Sequence, residues 1–360
     1  MLGEHVRKLG DTAAPGVAST RFYEAVKEGW VEQSSVFDVT LERQDPIWKE
    51  WWIGASSIHK MCPRMYAKMA AARGAFVGEL FKADTLWNFG QGHAYHDLFQ
   101  KKIMTHLQGG TMLGKWERTV TSITGNSMPG SYPSFRKEET HYQNDVPEGV
   151  SVERGWGPRP DGDGWTYSET KFRIPALRLV VKLDGIVKWD NLDELEIIEI
   201  KTEKSQAKDA LNPLTGGAPR KHHIEQVHVG MLATGLKRGR IIYVFKGEHN
   251  MALSIVEYVI HRDERIIGGI RKRARECVEA VRHMDDARDA TIKSITGEED
   301  LIWDDVSGDS RDQIRASMLK EADRYSKLEE CQWKSKGRPR YCPGRDLCFG
   351  VRKKKKKVVK

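Results

Sequence analysis

The stretch that decides the fold is LRLVVKLDGIVKWDNLDELEIIEIKT, residues 177–202. Two runs rich in Val, Ile and Leu flank the polar turn Asp190-Asn191-Leu192-Asp193, the pattern of an antiparallel hairpin. With Asn191 and Leu192 at the tip, the register sets Asp184 opposite Glu199. Side chains that face each other on such strands have Cβ atoms about 4.5–5.5 Å apart. Strand period two puts Lys201 on the face of Glu199. Val181, Leu183, Val187, Ile198 and Ile200 line the other face, which reads as core. Two acids and an ammonium group therefore project together from a half-buried sheet. Two close carboxylates resist ionising together. A hard divalent cation such as Mg2+ compensates them, with Lys201 placed to orient or help deprotonate a water. A solvent-facing hairpin with Glu–Lys cross-strand pairs has the same local pattern.

The neighbouring segments give the class. KHHIEQVHVGMLATG (221–235) reads as a helix stopped by Gly235, and GRIIYVFKG (239–247) as a strand. Long helices are expected over 262–290 and 308–330. Upstream, YSETKFRIP (167–175) alternates like a strand. Residues 108–165 are rich in Gly and Pro and read as inserted loops and small strands, among them WERTVTSIT (116–124). GASSIHKMCPRMYAKMAAARG (54–74) reads as one Ser-capped helix, and TLWNFGQGHAYHDLFQKKIMTHL (85–107) as another. In the latter, Phe89, Gly92, His96, Phe99 and Ile103 form one stripe that faces the core and carries His96 with it. Helices and strands intermix, so the class is α/β or α+β around one central mixed sheet. Residues 1–45 read as an N-terminal arm or helical extension, 46–350 as the domain and 351–360 as a basic tail.

The length of 360 residues suits about two domains, or one large domain with insertions. Net charge is +8, but VRKKKKKVVK (351–360) holds seven positive charges, so eight less seven leaves +1 for the rest. The tail is a handle for phosphate backbones or a solvated solubility tail. No apolar run approaches the ~18 residues a membrane span needs. The 11 Trp, 10 Tyr and 10 Phe argue for a packed core. The N-terminal stretch MLGEHVRKLGDTAAPG has no apolar secretory region, so a cytoplasmic location is expected.

There are five cysteines, an odd number that argues against a disulfide framework. Cys331, Cys342 and Cys348 crowd into CQWKSKGRPRYCPGRDLC, where Arg338, Arg340 and Arg345 favour thiolates. Cys62, in IHKMCPRMY, is the expected fourth ligand, because Cys277 lies in a helix-period stretch and reads as a packed thiol. Tetrahedral zinc and a four-iron cluster both suit such a set.

Taken together, Gly92-x-x-x-His96, Leu183-Asp184-Gly185, Glu199-Ile200-Lys201 and a helix with Gln226 resemble the RecB-type branch of the PD-(D/E)XK nucleases. One Cys before the first motif and three near the C-terminus, with the flanks Cys62-Pro63-Arg64 and YCPGRDLC, resemble its iron–sulfur members. Those include CRISPR-associated, AddB-type and phage-encoded exonucleases and eukaryotic exonuclease V. The resemblance runs from about Ser56 to Cys348. It implies a restriction-endonuclease-like mixed sheet flanked by helices, with a cysteine-ligated clasp joining the N- and C-terminal parts. It implies that His96, Asp184, Glu199 and the Ile200 carbonyl hold Mg2+ or Mn2+, that Lys201 positions the attacking water, and that Gln226 assists. It implies a [4Fe–4S] cluster on Cys62, Cys331, Cys342 and Cys348, with zinc as the alternative. The activity implied is metal-dependent hydrolysis of DNA, first as an exonuclease on ends or single strands in recombination, repair or phage DNA metabolism. An endonuclease, a CRISPR-adaptation trimming enzyme and a cluster-stabilised DNA-binding subunit with little catalysis are the alternatives. The partner implied is DNA, with no membrane and with room for a recombination or helicase partner. Two features depart from the pattern. Gly230 stands where a Tyr usually follows Gln226 by four residues, and the first gap among the late cysteines is ten residues instead of two.

Overall fold

The computed structural model describes residues 52–72, 83–103, 107, 109–122, 134–246, 255–298, 301 and 303–325. The chain divides into two compact units, residues 1–50 with 72–93 and residues 51–71 with 94–360. What is described of the first unit is chiefly helical chain within 83–93.

The elements in order are β1 (Ile53–Gly54), a 3-10 turn (Ala55–Lys60), α1 (Pro63–Ala72) and α2 (Ala83–Leu98), which runs on into a π-helical turn (Phe99–Ile103). Then come β2 (Gly110–Leu113), β3 (Lys115–Ser122), β4 (Ser134–Glu139), β5 (Ser151–Glu153), β6 (Thr166–Ser168), β7 (Thr170–Ile174), β8 (Leu179–Leu183), β9 (Gly185–Trp189) and β10 (Leu195–Lys204). The chain continues through α3 (Lys208–Leu211), α4 (Lys221–Thr234), β11 (Arg238–Lys246), β12 (Ile255–His261), α5 (Glu264–Thr296) and α6 (Gly308–Ala322). The helix expected across 54–74 is two pieces. Pro63 cannot donate within a helix but suits its first position, so α1 starts there.

The protein is mixed α/β, but its strands form three sheets where one was expected. Their orders are β12-β11-β10-β9-β2, β1-β8-β7-β5 and β4-β3-β6. In the five-stranded sheet β10 and β11 are parallel and the other pairs antiparallel. The split comes from the deciding stretch itself. The expected single strand breaks at Asp184 into β8 and β9, which belong to different sheets.

Within the hairpin the expected register holds: Lys188 pairs with Leu195, Val187 with Glu196, Ile186 with Ile197 and Gly185 with Ile198. Val187, Ile198 and Ile200 join Phe99, Met112, Trp116, Tyr167 and Val244 in the cluster under one face. Burying such an aliphatic side chain stabilises by about 1.5–3 kcal/mol relative to exposure. Leu183 departs from the expected face. The bend at Asp184 turns it toward α4, where its Cδ2 lies 3.0 Å from the place a Cβ on Gly230 would occupy.

The face that carries Glu199 is also covered, by α4. A Cβ at Gly239 would sit 2.4 Å from Val227 Cγ1, so this glycine lets helix and strand approach closely. At the far end of the chain, α6 docks on α1. Arg64 and Lys68 both ion-pair with Asp323, and Lys68 also donates to the Leu319 carbonyl at 2.7 Å. Among the described residues no helix is long and apolar enough to cross a membrane.

Candidate active site

Asp184 sits in the bend between β8 and β9 and is buried, with 7% of its surface exposed. Its Oδ2 accepts the backbone N–H of Ile200 at 2.6 Å. The acid of one strand thus grips the next strand midway between Glu199 and Lys201. Its Oδ1 faces His96 Nδ1 at 3.5 Å and accepts from Gln100 Nε2 at 3.4 Å. His96 lies in the last turn of α2 and Gln100 in the π turn that follows, so one continuous helical stretch supplies both.

Glu199, on β10, is 2% exposed. Its Oε1 accepts from Lys201 Nζ, two residues along the same strand face, and from Gln226 Nε2 of α4 at 2.6 Å. Gln226 therefore reaches the acid from the covering helix although the position four residues later is Gly230. The close packing of α4 on Leu183 and Ile197 explains why a side chain is absent there.

The charges of this group are interdependent. Burial pushes the Glu199 carboxyl above its ordinary range, and the charge of Asp184 adds to the push, outweighing the Lys201 ammonium. Burial alone would depress Lys201, but the charges of Glu199 and Asp184 hold it protonated. His96 behaves likewise: burial depresses it, and its contact with Asp184 more than restores it. The structure thus brings His96, Asp184, Glu199, Ile200, Lys201 and Gln226 together, from α2, the β8–β9 bend, β10 and α4.

The donor chemistry suits a hard divalent cation: two carboxylates, an imidazole and a nearby backbone carbonyl. Two buried acids whose charges disfavour each other also present the deficit that such an ion fills. As arranged, among the described residues, no three His, Cys, Asp or Glu side chains are grouped closely enough to hold a metal. Lys201, Gln226, Gln100 and His96 engage the acids instead.

Of the predicted cysteine ligands, Cys62 is partly exposed, in the turn before α1. Cys331, Cys342 and Cys348 lie outside the described residues, as do the N-terminal arm and the basic tail. Cys277 is a buried free thiol of α5, pushed to a high pKa by burial. The side chains of Phe89 and Ile103, two members of the expected stripe, are also outside the described set.

Sequence reasoning missed Gln100 and Glu169. For Glu169 the signal was available: pairing YSETKFRIP with the first half of LRLVVKLDG in register places it beside Asp184, by the same logic that paired Asp184 with Glu199. It missed as well the chain of rings next to Lys201. Lys201 pairs in register with Tyr243 of β11, whose hydroxyl accepts from Arg220 N at 3.0 Å and meets His223 Nδ1 at 2.9 Å. Beyond it, His223, His222 and His59 follow with ring centroids 4.1 and 4.6 Å apart.

No family model and no curated protein matches this chain. Among solved structures, similarity is found to the alkaline exonuclease LHK-Exo from Laribacter hongkongensis, at 14% identity over 64% of this chain and 88% of that one, with a TM-score of 0.35. The LHK-Exo complex with dAMP matches at 18% identity and a TM-score of 0.27 over 33% of this chain, and the aligned part spans only 55% of that chain. SSO0001 matches at 14% identity over 63% of this chain and 75% of that one, with a TM-score of 0.31. Likenesses at these scores decide neither fold nor activity, and the site's own geometry is what bears on function.

Proposed function

We propose that the protein is a divalent-metal-dependent DNA nuclease, first of all an exonuclease acting on ends or single strands. The observation that carries this reading is the double hold on the Glu199-Ile200-Lys201 strand. Asp184 takes its backbone N–H, while Glu199 and Lys201 point together beneath Gln226. A strand-borne Lys locked to a buried Glu, beside a second acid and an imidazole from a separate helix, is more than sheet stability requires.

In this reading His96, Asp184, Glu199 and the Ile200 carbonyl hold Mg2+ or Mn2+. The ion, when bound, neutralises charge at the phosphoryl oxygen and makes water a better nucleophile at neutral pH. Glu199 Oε1 holds the Lys201 ammonium, which is then aimed to orient the attacking water. Gln226 fixes the same oxygen and restrains Glu199 from rotating away from the strand. His96 faces Asp184 Oδ1, the oxygen not engaged by the Ile200 N–H.

We propose in addition that Cys62, Cys331, Cys342 and Cys348 hold a [4Fe–4S] cluster, with zinc as the alternative. The docking of α6 on α1 supports it: Arg64 and Lys68 contact Asp323, so the chain just after Cys62 lies beside a residue eight positions before Cys331.

Incubation with Mg2+ or Mn2+ and labelled linear or covalently closed circular single-stranded DNA tests the reading. Nucleotides released from linear DNA alone indicate an exonuclease, and cutting of circles indicates the endonuclease alternative. DNA binding with no cleavage under any metal condition would sink the enzyme reading and leave a binding subunit.

A further inference from the structure

Asp184 is shared by two hairpins. The β7–β8 ladder ends where Thr170 pairs with Leu183, and one position on stand Glu169 and Asp184. The β9–β10 ladder ends where Gly185 pairs with Ile198, and one position on stand Asp184 and Glu199. Glu169 and Asp184 therefore interrupt β6–β7 and β8–β9, while Glu199 lies within β10, one position past the end of its ladder with β9. Lys201 and Gln226 serve Glu199. The Glu169–Asp184 interval is spanned by Gln100, whose Nε2 lies 3.3 Å from Glu169 Oε1 and 3.4 Å from Asp184 Oδ1.

The orientation of this amide is fixed by chemistry. Ionised carboxylates only accept hydrogen bonds, so the nitrogen and not the oxygen must face both acids. Gln100 is 4% exposed, and its neighbour Phe99 is buried too, in the core cluster. The π turn Phe99–Ile103, a local widening often found at functional sites, turns both inward.

We propose that Gln100 is a positioning residue for Asp184, anchored in its turn by Glu169. The amide holds Oδ1 while the Ile200 N–H holds Oδ2, and the carboxylate cannot turn about its own axis. This rests on the reading of Asp184 as a cation-binding acid of a nuclease. Groups that orient metal ligands from behind typically control affinity by about 10- to 100-fold when removed.

The test is a Mn2+ titration of the purified full-length protein, followed by electron paramagnetic resonance, on wild type, Asp184→Asn, Gln100→Leu, Gln100→Met and Glu169→Ala. Both Gln100 variants approximate the volume without a donor, and Gln100→Met is the fallback if Gln100→Leu does not fold. We expect Mn2+ binding about 10- to 100-fold weaker in the Gln100 variants, an intermediate loss in Glu169→Ala, and unchanged folding by circular dichroism. Wild-type affinity in a folded Gln100 variant overturns the proposal. Absence of any Mn2+ binding sensitive to Asp184→Asn in wild type sinks the nuclease reading instead. A crystal structure of Gln100→Met then decides the positioning role: a rotated Asp184 carboxylate sustains it, and an unmoved one overturns it.

Discussion

Gly230→Ala sets two effects of known sign against each other. The glycine lies inside α4, and replacing a glycine in a helix interior by alanine ordinarily gains about 1 kcal/mol. Here the added Cβ would lie 3.0 Å from Leu183 Cδ2 and 3.2 Å from Ile197 Cδ1. Both side chains are at most 1% exposed, so each must shift by a few tenths of an ångström within the packed core. Overpacking of this kind costs about 1–3 kcal/mol, so the variant should be about 1 kcal/mol less stable than wild type. Because Leu183 directly precedes Asp184, its displacement is passed to the acid, and any nuclease turnover should fall as well. Gly230→Tyr should be far worse, because a ring cannot enter this layer. Urea unfolding is the assay, read as a lower midpoint at unchanged slope. Gly230→Ala as stable as wild type, or Gly230→Tyr folded with wild-type stability, would refute the packing argument.

Three further outcomes are expected. His223 is held near pKa 2, mainly by burial and then by the charge of Lys201. Below about 6.5 the unfolded chain takes up a proton that the folded chain refuses, so stability present at neutral pH is lost as pH falls, by about 2 kcal/mol between pH 7 and pH 5. Urea midpoints should show this fall, and His223→Gln should flatten it; an equal fall in both proteins contradicts the assignment. Asp323→Ala should cost about 2 kcal/mol, less than the ~3–5 kcal/mol of a fully buried pair, because Asp323 is half exposed and Lys68 keeps its carbonyl partner; a midpoint unchanged within error would show that the α1–α6 contact carries little stability. Cys342→Ser should yield colourless or insoluble protein, whereas Cys277→Ser should retain any cluster absorbance. Equal cluster content in the two would refute the four-cysteine assignment.

The hairpin was legible because its register depends only on a short turn and on side-chain alternation, both local. The end of α4 was legible for the same reason, since Gly235 takes the left-handed conformation there. The break at Asp184 was not. An uninterrupted apolar run reads as one strand whether or not its halves join different sheets, and the two sheets are completed by strands distant in sequence, β1 beside β8 and β11 beyond β10. β12 went unread although IVEYVIH (255–261), rich in β-branched and aromatic residues, is a strand pattern of its own. His96 could be placed on a helix face, but its meeting with Asp184 spans 88 positions, a contact that no local periodicity encodes. Gln100 escaped because a π turn, which leaves no plain mark in sequence, turns it inward.

The most direct measurement of the central claim is the turnover of Lys201→Ala and Glu199→Gln on end-labelled DNA with Mn2+ present, with both proteins first shown to be folded and to bind DNA. The account predicts that wild type releases nucleotides and that each variant binds DNA but loses at least about 100-fold in rate, the scale of a positioned proton-transfer or charge-stabilising group. Variants that cleave at the wild-type rate would contradict it and move the chemistry away from the Glu199-Ile200-Lys201 strand.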